Sequence, residues 1–147
     1  MTGYVLSMIG LIIILIGMYR VNQHLSKKFR GIFIDDERTP SDVFWMNYDH
    51  DIQWVIVRNY AEFKEEIRNN GIPKYISFDH DLADFDEDGV EYNGLSCAKY
   101  LIDIAQYDNL ELPEHIYYHT QNPIGRENIK GYIESFIAFR NREMEDE

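Results

Sequence analysis

Several short segments of this chain place aspartate directly behind apolar residues. The stretches "IDDE" at residues 34–37 and "FDHDL" at residues 78–82 are two such segments. Carboxylates held close together repel, at about 4 kcal/mol for each close pair at an effective dielectric constant of about 20. A divalent cation removes that cost, and Mg²⁺ takes hard oxygen ligands beside a substrate phosphate. A divalent metal, Mg²⁺ or Mn²⁺, is therefore predicted to bind Asp35, Asp36 and Asp79.

Histidines and further polar residues accompany the acidic ones. Imidazole changes charge near neutral pH, so His80 and His119 are predicted to act as general base and acid, in either order. Asp81 is predicted to orient His80 or to join the metal ligands. The alternative is that the aspartates only cap a turn and that the histidines are structural. Substrate contacts are predicted for four polar residues, one of them an arginine at a helix start that suits a phosphoryl oxygen: Arg38, Thr120, Asn122 and Arg126.

Four apolar runs come directly before these polar residues, and they predict buried β-strands. They are "GIFI" from Gly31, "WVIVRN" from Trp54, "YISFD" from Tyr75 and "HIYYHT" from His115. Helical periodicity follows the last three runs, within residues 59–71, 95–107 and 127–139. The connection at residues 35–53 has no clear helical period and predicts only a turn or a short helix.

This alternation predicts an α/β fold, a three-layer sandwich with a short parallel sheet of about four strands covered by helices on both faces. In an open parallel sheet, ligands bind outside the carboxyl ends of the strands. We therefore expect the acidic, histidine and arginine side chains to collect at one edge of the sheet.

The N-terminal stretch from Tyr4 to Tyr19 carries no charge and would reach about 24 Å as a helix. Together with the preceding residues it predicts a single membrane span, and the arginines and lysines at residues 20–30 predict that the rest of the chain faces the cytoplasm. A buried core helix is the alternative. The predicted organisation is a membrane helix with a basic stalk at residues 1–30, one domain at 31–140 and an acidic tail at 141–147.

Charge and cysteine content restrict the partners. The chain has 26 Asp and Glu against 14 Lys and Arg, and none of the acidic residues lies in the first thirty positions. A domain this negative is a poor partner for long duplex DNA, because neutralisation of phosphates supplies most of such binding. The single cysteine, Cys97, excludes an internal disulfide and is typical of a reducing compartment.

Five segments in this order resemble the cyclic-phosphate processing receiver domain family of bacteria and bacteriophages: "FIDDERTP", "WVIVRNYAEFKEEI", "ISFDHDLAD", "GLSCAKYLID" and "HTQNPIGRENI". The similarity covers nearly all of residues 31–139. It implies a receiver-like Rossmannoid fold and action on cyclic phosphates, such as RNA ends that carry a 2′,3′-cyclic phosphate. Matched to the family pattern, the site residues would be Asp35, Asp36, Asp79, His80, Asp81, His119, Asn122 and Arg126.

The leading hypothesis is metal-dependent hydrolysis or opening of a cyclic phosphate on an RNA end or a small cyclic nucleotide. One alternative is a non-catalytic module that binds a nucleotide or a partner at the same acidic edge. The other is a phosphoacceptor receiver domain, which is disfavoured because the sequence shows no fifth strand followed by a lysine. The sequence does not predict the oligomeric state.

Overall fold

The computed structural model describes residues 2–145, with side chains for residues 8–22 and 29–145. This part of the chain forms four α-helices: α1 (Thr2–Phe29), α2 (Tyr60–Asn70), α3 (Gly94–Tyr107) and α4 (Pro123–Glu145). It also forms six β-strands: β1 (Arg30–Ile34), β2 (Gln53–Val57), β3 (Tyr75–Phe78), β4 (Asp84–Phe85), β5 (Glu91–Tyr92) and β6 (His115–Tyr118). The connection from β1 to β2 contains only a short 3₁₀ helix, Pro40–Asp42, as predicted.

The predicted four-stranded parallel sheet is confirmed, with strand order β2-β1-β3-β6. The strands β4 and β5 form a separate antiparallel hairpin where the sequence indicated only a charged loop. Its turn contains Gly89, at φ +78°, and the Asp86 carboxylate accepts hydrogen bonds from two backbone N–H groups of the same turn. Strands of two residues are too short for a period of alternating side chains to be recognised in sequence.

The handedness of the connections explains how the faces of the sheet are covered. The connection β1–β2 runs along the sheet in one direction, whereas β2–β3 and β3–β6 run in the other. Parallel crossovers are right-handed in about 98% of cases, so the first connection must cover the face opposite to α2 and α3. The prediction of helices on both faces is therefore wrong for these crossovers: α2, α3 and α4 share one face, and residues 35–52 cover the other.

The helical face holds the main apolar core. Alternate residues of the central strands, among them Ile32, Ile34, Ile76 and Phe78, are completely buried against the helices. Asn59 caps α2, because its side chain accepts a hydrogen bond from the Glu62 N–H. A second mostly apolar layer lies under residues 35–52, where Phe33, Tyr48, Trp54 and Tyr117 form edge-to-face ring contacts.

The predicted N-terminal membrane span is wrong. Within the described side chains, no helix combines the length and the apolar character needed to cross a bilayer. Residues 1–7 of the predicted span lie outside the described side chains. The membrane localisation predicted from this segment is therefore wrong as well.

The C-terminal helix is longer than its predicted apolar pattern. α4 continues to Glu145 through most of the predicted acidic tail, whose last two residues lie outside the described range. Ile129, Ile133 and Phe136 pack against the core. Tyr132 and Phe139 are 38% and 41% exposed, because at helical spacing both lie to one side of this buried stripe.

Candidate functional site

The carboxyl edge of the sheet brings the predicted residues together. Backbone hydrogen bonds continue past the strand ends, from the Asp79 N–H to the Ile34 carbonyl at 2.9 Å and from the His119 N–H to the Phe78 carbonyl at 3.0 Å. Asp35, Asp79 and His119 thus end three neighbouring strands. An open cleft of about 440 Å³ lies over this edge, and its lining includes Asp35, Asp36, Arg38, Asp79, Asp81, Thr120 and Asn122.

Asp35 lies at the floor of the cleft and is completely buried. Its Oδ1 accepts hydrogen bonds from the backbone N–H groups of Glu37 and Arg38, at 2.9 and 2.6 Å. Its Oδ2 accepts from Arg38 Nε at 2.7 Å and from His119 Nε2 at 3.1 Å. Burial alone would raise the pKa of Asp35, but the hydrogen bond to His119, the backbone N–H groups and the Arg38 charge together hold the pKa well below its usual value.

Arg38 joins the two buried carboxylates. While its Nε contacts Asp35, its Nη2 contacts Asp79 Oδ2 at 2.7 Å. Its side chain is 27% exposed. Although burial lowers the pKa of Arg38, the charges of Asp79 and Asp35 outweigh that effect and raise it. The guanidinium therefore supplies much of the positive charge that the sequence pattern had assigned to a metal ion alone.

The predicted metal ligands do form one cluster. Asp35, Asp36 and Asp79 each offer an oxygen atom, and these atoms lie within 4.8 Å of one another. Partial burial raises the pKa of Asp36, and the adjacent charge of Asp35 raises it further, as expected for carboxylates that repel one another. Hard oxygen donors at this spacing fit Mg²⁺ or Mn²⁺, and the Arg38 guanidinium already stands in for a cation beside Asp35 and Asp79. The residues therefore fit a divalent ion.

His119 is buried below the cleft. Its side chain is completely buried, and its ring stacks on Phe33 with centroids 4.2 Å apart and an interplanar angle of 11°. The ring crosses β3 to reach Asp35 of β1, and this path lies over Ser77, whose side chain is small enough to leave room. Because both ring nitrogens bond inside the protein, His119 is placed to hold Asp35.

A chain of hydrogen bonds extends this contact to the opposite side of the histidine. His119 Nδ1 lies 2.7 Å from Ser77 Oγ, which lies 2.7 Å from Tyr48 Oη. Nε2 donates to ionised Asp35, and in the tautomer with its proton on Nε2 the ring accepts at Nδ1 from the serine hydroxyl, which accepts in turn from the tyrosine hydroxyl. Burial raises the pKa of Tyr48 to about 12, although its bond to Ser77 acts in the other direction. The Tyr48 hydroxyl therefore keeps its proton at neutral pH.

His80 is the more accessible of the two predicted catalytic histidines. Its Nδ1 lies 2.8 Å from Asp81 Oδ1, and the side chains of His80 and Asp81 are 15% and 61% exposed. The hydrogen bond to His80 lowers the pKa of Asp81 most, with a further contribution from Asn122, whose amide contacts both carboxylate oxygens at 3.3 and 3.2 Å. Among the described residues, His80 Nε2 has no hydrogen bond, so this nitrogen is free for proton transfer.

The start of α4 supports this second pair. Asn122 Oδ1 caps the helix by accepting from the Gly125 N–H at 2.9 Å. Gly125 is required here, because a Cβ atom at this position would lie 2.2 Å from His80 Cγ. Arg126 donates to the Thr120 carbonyl at 2.6 Å, and its Nε is buried without a partner among the described residues. Arg126 therefore braces the loop before α4 in this conformation.

Sequence reasoning missed the residues that position His119. Phe33, Tyr48 and Ser77 were assigned only to a buried strand or to a connection. One signal was available, since Ser77 is a polar residue inside the apolar run "YISF", and a buried hydroxyl requires a partner. Trp45 was also missed: its indole N–H donates to the His119 carbonyl at 3.1 Å, and its ring lies 5.7 Å from the Arg38 guanidinium carbon.

Comparison with known proteins agrees with this arrangement. No curated protein and no solved structure gives a significant match to the chain. The model of the family described as "Cyclic-phosphate processing Receiver domain" matches residues 30–135, which include the whole sheet, the cleft and most of α4. The sequence resemblance is thereby confirmed, and the chain belongs to the cyclic-phosphate processing receiver domain family.

Proposed function

We propose that the cleft is the active site of a metal-dependent enzyme that opens a cyclic phosphate on an RNA end or a small cyclic nucleotide. Membership of the family supports cyclic-phosphate processing in general. The observation that carries the more specific proposal is that the acidic cluster, Arg38 and Asp81 line one cleft, with His80 hydrogen-bonded to Asp81. Carboxylates, a guanidinium and an imidazole are groups that can assist displacement at phosphorus.

Asp35, Asp36 and Asp79 would hold the ion. When bound, a divalent ion supplies Lewis-acid polarisation of a phosphoryl oxygen. The protein's own contribution is to fix the carboxylates, and it does so through backbone N–H groups and His119 at Asp35. Because Asp35 makes these contacts before any ligand arrives, the site needs little reorganisation during the reaction.

Proton transfer is assigned to His80. Asp81 accepts from Nδ1 and so keeps the ring oriented with Nε2 free. His80 takes a proton from the attacking water while a new oxygen bond forms at phosphorus, and it returns a proton to the ester oxygen whose bond breaks. The second predicted catalytic histidine, His119, has a positioning role in this proposal, since its ring is completely buried.

Substrate contacts are assigned to the polar rim of the cleft. Arg38, Thr120 and Asn122 line it, and arginine suits the paired oxygens of a phosphate. Arg126 holds the backbone of the 119–122 loop at Thr120. It would therefore act on the phosphate indirectly unless substrate draws its guanidinium out of this contact.

The test is a product-resolved assay of the full chain. RNA ends with a 2′,3′-cyclic phosphate and cyclic mono- and dinucleotides are incubated with Mg²⁺, with Mn²⁺ or with chelator, and the products are separated by chromatography. We expect a linear phosphate only with metal, and loss of product in His80→Ala. His50→Ala is the matched control, because His50 is an exposed histidine in the β1–β2 connection. Absence of product from every substrate contradicts the proposal.

A non-catalytic binding module is the second candidate, and one observation favours it. Arg38 already compensates the charges of Asp35 and Asp79. The charge balance of the cluster therefore does not depend on a catalytic role. Saturable binding of a cyclic nucleotide with no product in the same assay supports the module. Labelling of Asp79 by acetyl phosphate, absent in Asp79→Asn, supports a phosphoacceptor role instead.

A further inference from the structure

Arg38 occupies the position at which a cation meets the buried carboxylates. Its Nε and Nη2 each lie 2.7 Å from an Oδ2 atom, the first of Asp35 and the second of Asp79. These oxygens belong to two of the three residues that form the candidate metal cluster. The guanidinium and a divalent ion at this cluster would therefore compete for the same two carboxylates.

The hydrogen bonds of Asp35 make this competition strict. A carboxylate offers about four lone-pair positions, and Asp35 uses them for two backbone N–H groups, Arg38 Nε and His119 Nε2. The backbone donors belong to a turn, and His119 is fixed by stacking and by Ser77. Of the four donors, Arg38 Nε is the one on a long side chain that is 27% exposed. It is therefore the donor that an incoming ion can replace.

The backbone of Arg38 stays in place if its side chain leaves. The Arg58 guanidinium donates to the Arg38 carbonyl at 2.7 Å and to the Asp35 carbonyl at 3.0 Å. The Arg38 N–H remains bonded to Asp35 Oδ1. Rotation of the side chain alone is thus enough to free one oxygen on Asp35 and one on Asp79, while the turn keeps its shape.

We propose that Arg38 is an exchangeable counter-ion of the acidic cluster, and that a divalent cation binds by displacing its guanidinium. The exchange rests on the metal site of the proposed function, and it is independent of turnover. In the metal-free protein Arg38 neutralises the carboxylates. In the loaded protein the released guanidinium lies at the rim of the cleft, where a phosphate is expected. Arg38 thus lowers the affinity for free metal and couples metal binding to the binding of an anion.

The first experiment measures Mn²⁺ binding by electron paramagnetic resonance of the free ion, with the full chain and no substrate. Arg38→Gln is expected to tighten Mn²⁺ binding by about tenfold or more, since coupling of this kind spans about 5–150-fold. Arg126→Gln removes an equal charge near the same edge but contacts a backbone carbonyl, so it controls for general electrostatics. Tightening in Arg38→Gln that does not exceed the control, or weaker binding, overturns the proposal.

A second measurement follows the exchange in the wild-type protein. The Nε–H resonance of Arg38, assigned by its absence in Arg38→Lys, is followed in wild-type protein during a Mg²⁺ titration. We expect the protected signal of the ion pair to move toward that of a solvent-exposed guanidinium as Mg²⁺ saturates. A signal that stays protected at saturation, or absence of metal binding in every variant, refutes the exchange. Exchange with no turnover refutes the proposed function alone, and turnover without exchange refutes this inference alone.

Discussion

Two histidine–aspartate pairs lie at the carboxyl edge of the sheet, and they differ in nearly everything except their chemistry. In the His119–Asp35 pair both side chains are completely buried, whereas in the His80–Asp81 pair they are 15% and 61% exposed. The buried pair has all its polar atoms bonded within the protein, and the exposed pair keeps one imidazole nitrogen free. Burial, rather than residue type, thus separates a group that shapes the site from one that can act on a substrate.

Replacing the aspartate of each pair should give the largest difference in stability between the two pairs. Asp35→Ala removes the partner of His119, of Arg38 and of two backbone N–H groups, so we expect a loss of about 3–5 kcal/mol in the free energy of unfolding. Asp81→Ala acts on a largely exposed carboxylate and should cost less than about 1 kcal/mol. Urea unfolding followed by circular dichroism measures both. Equal losses would show that the two pairs are structurally equivalent.

Acid tests the buried pair without a mutation. The folded pKa of Asp35 is lower than that of an unfolded aspartate, about 3.9. Its contribution to stability is therefore complete above about pH 4 and is lost as the pH falls below that value toward the folded pKa. Unfolding free energies measured between about pH 6 and pH 2.5 should fall most steeply at the acid end. The slope should be shallower in Asp35→Asn, and an unchanged slope would contradict the shift.

Replacing the histidines separates activity from stability. His80→Ala should lower turnover by about 100-fold or more and change the free energy of unfolding by less than about 1 kcal/mol. His119→Ala leaves a cavity and unpaired groups, so we expect roughly 2–5 kcal/mol of lost stability. Turnover assays and urea unfolding on the same preparations give both quantities. A stable His119→Ala variant without activity would return His119 to a catalytic role.

The hydrogen bonds from His119 through Ser77 to Tyr48 should make a smaller contribution to stability. Ser77→Ala leaves the Tyr48 hydroxyl and His119 Nδ1 without their shared partner, and we expect a loss of about 1–3 kcal/mol. Ser135 on the exposed side of α4 serves as the control, since Ser135→Ala removes only an exposed bond to the Gly131 carbonyl. Thermal and urea unfolding should show a clearly larger loss of stability in Ser77→Ala than in Ser135→Ala. Equal losses would indicate that the hydrogen bonds through Ser77 contribute nothing to stability.

Much of the site followed from one rule of sheet geometry. Parallel strands end at the same edge, so residues after β1, β3 and β6 had to meet, and Asp35, Asp79 and His119 do meet. The bridge from Arg38 did not follow, because it depends on how a turn folds back over its own strand. The burial of His119 depends on the small side chain of Ser77, a three-dimensional fit that spacing along the chain does not encode.

The fold, like the site, was predictable from the sequence only in part. Hydrophobic runs located all four parallel strands, since strand positions depend on local pattern. The face covered by the β1–β2 connection depends on strand order and handedness, and local pattern carries no information on the order of strands in a sheet. The predicted membrane span was wrong: it rested on an uncharged run, and among the described residues no helix has the combined length and apolar character that a span requires.

The connection that replaces a helix over the second face of the sheet also gives this protein an internal optical probe. Both tryptophans of the chain belong to this side: Trp45 bonds to the His119 carbonyl, and Trp54 lies among Phe33, Tyr48 and Tyr117. Neither indole belongs to the core beneath the three helices. Intrinsic fluorescence will therefore record the assembly and loosening of this second layer, while far-ultraviolet circular dichroism records the helices, and any delay between the two signals will time the closing of the layer.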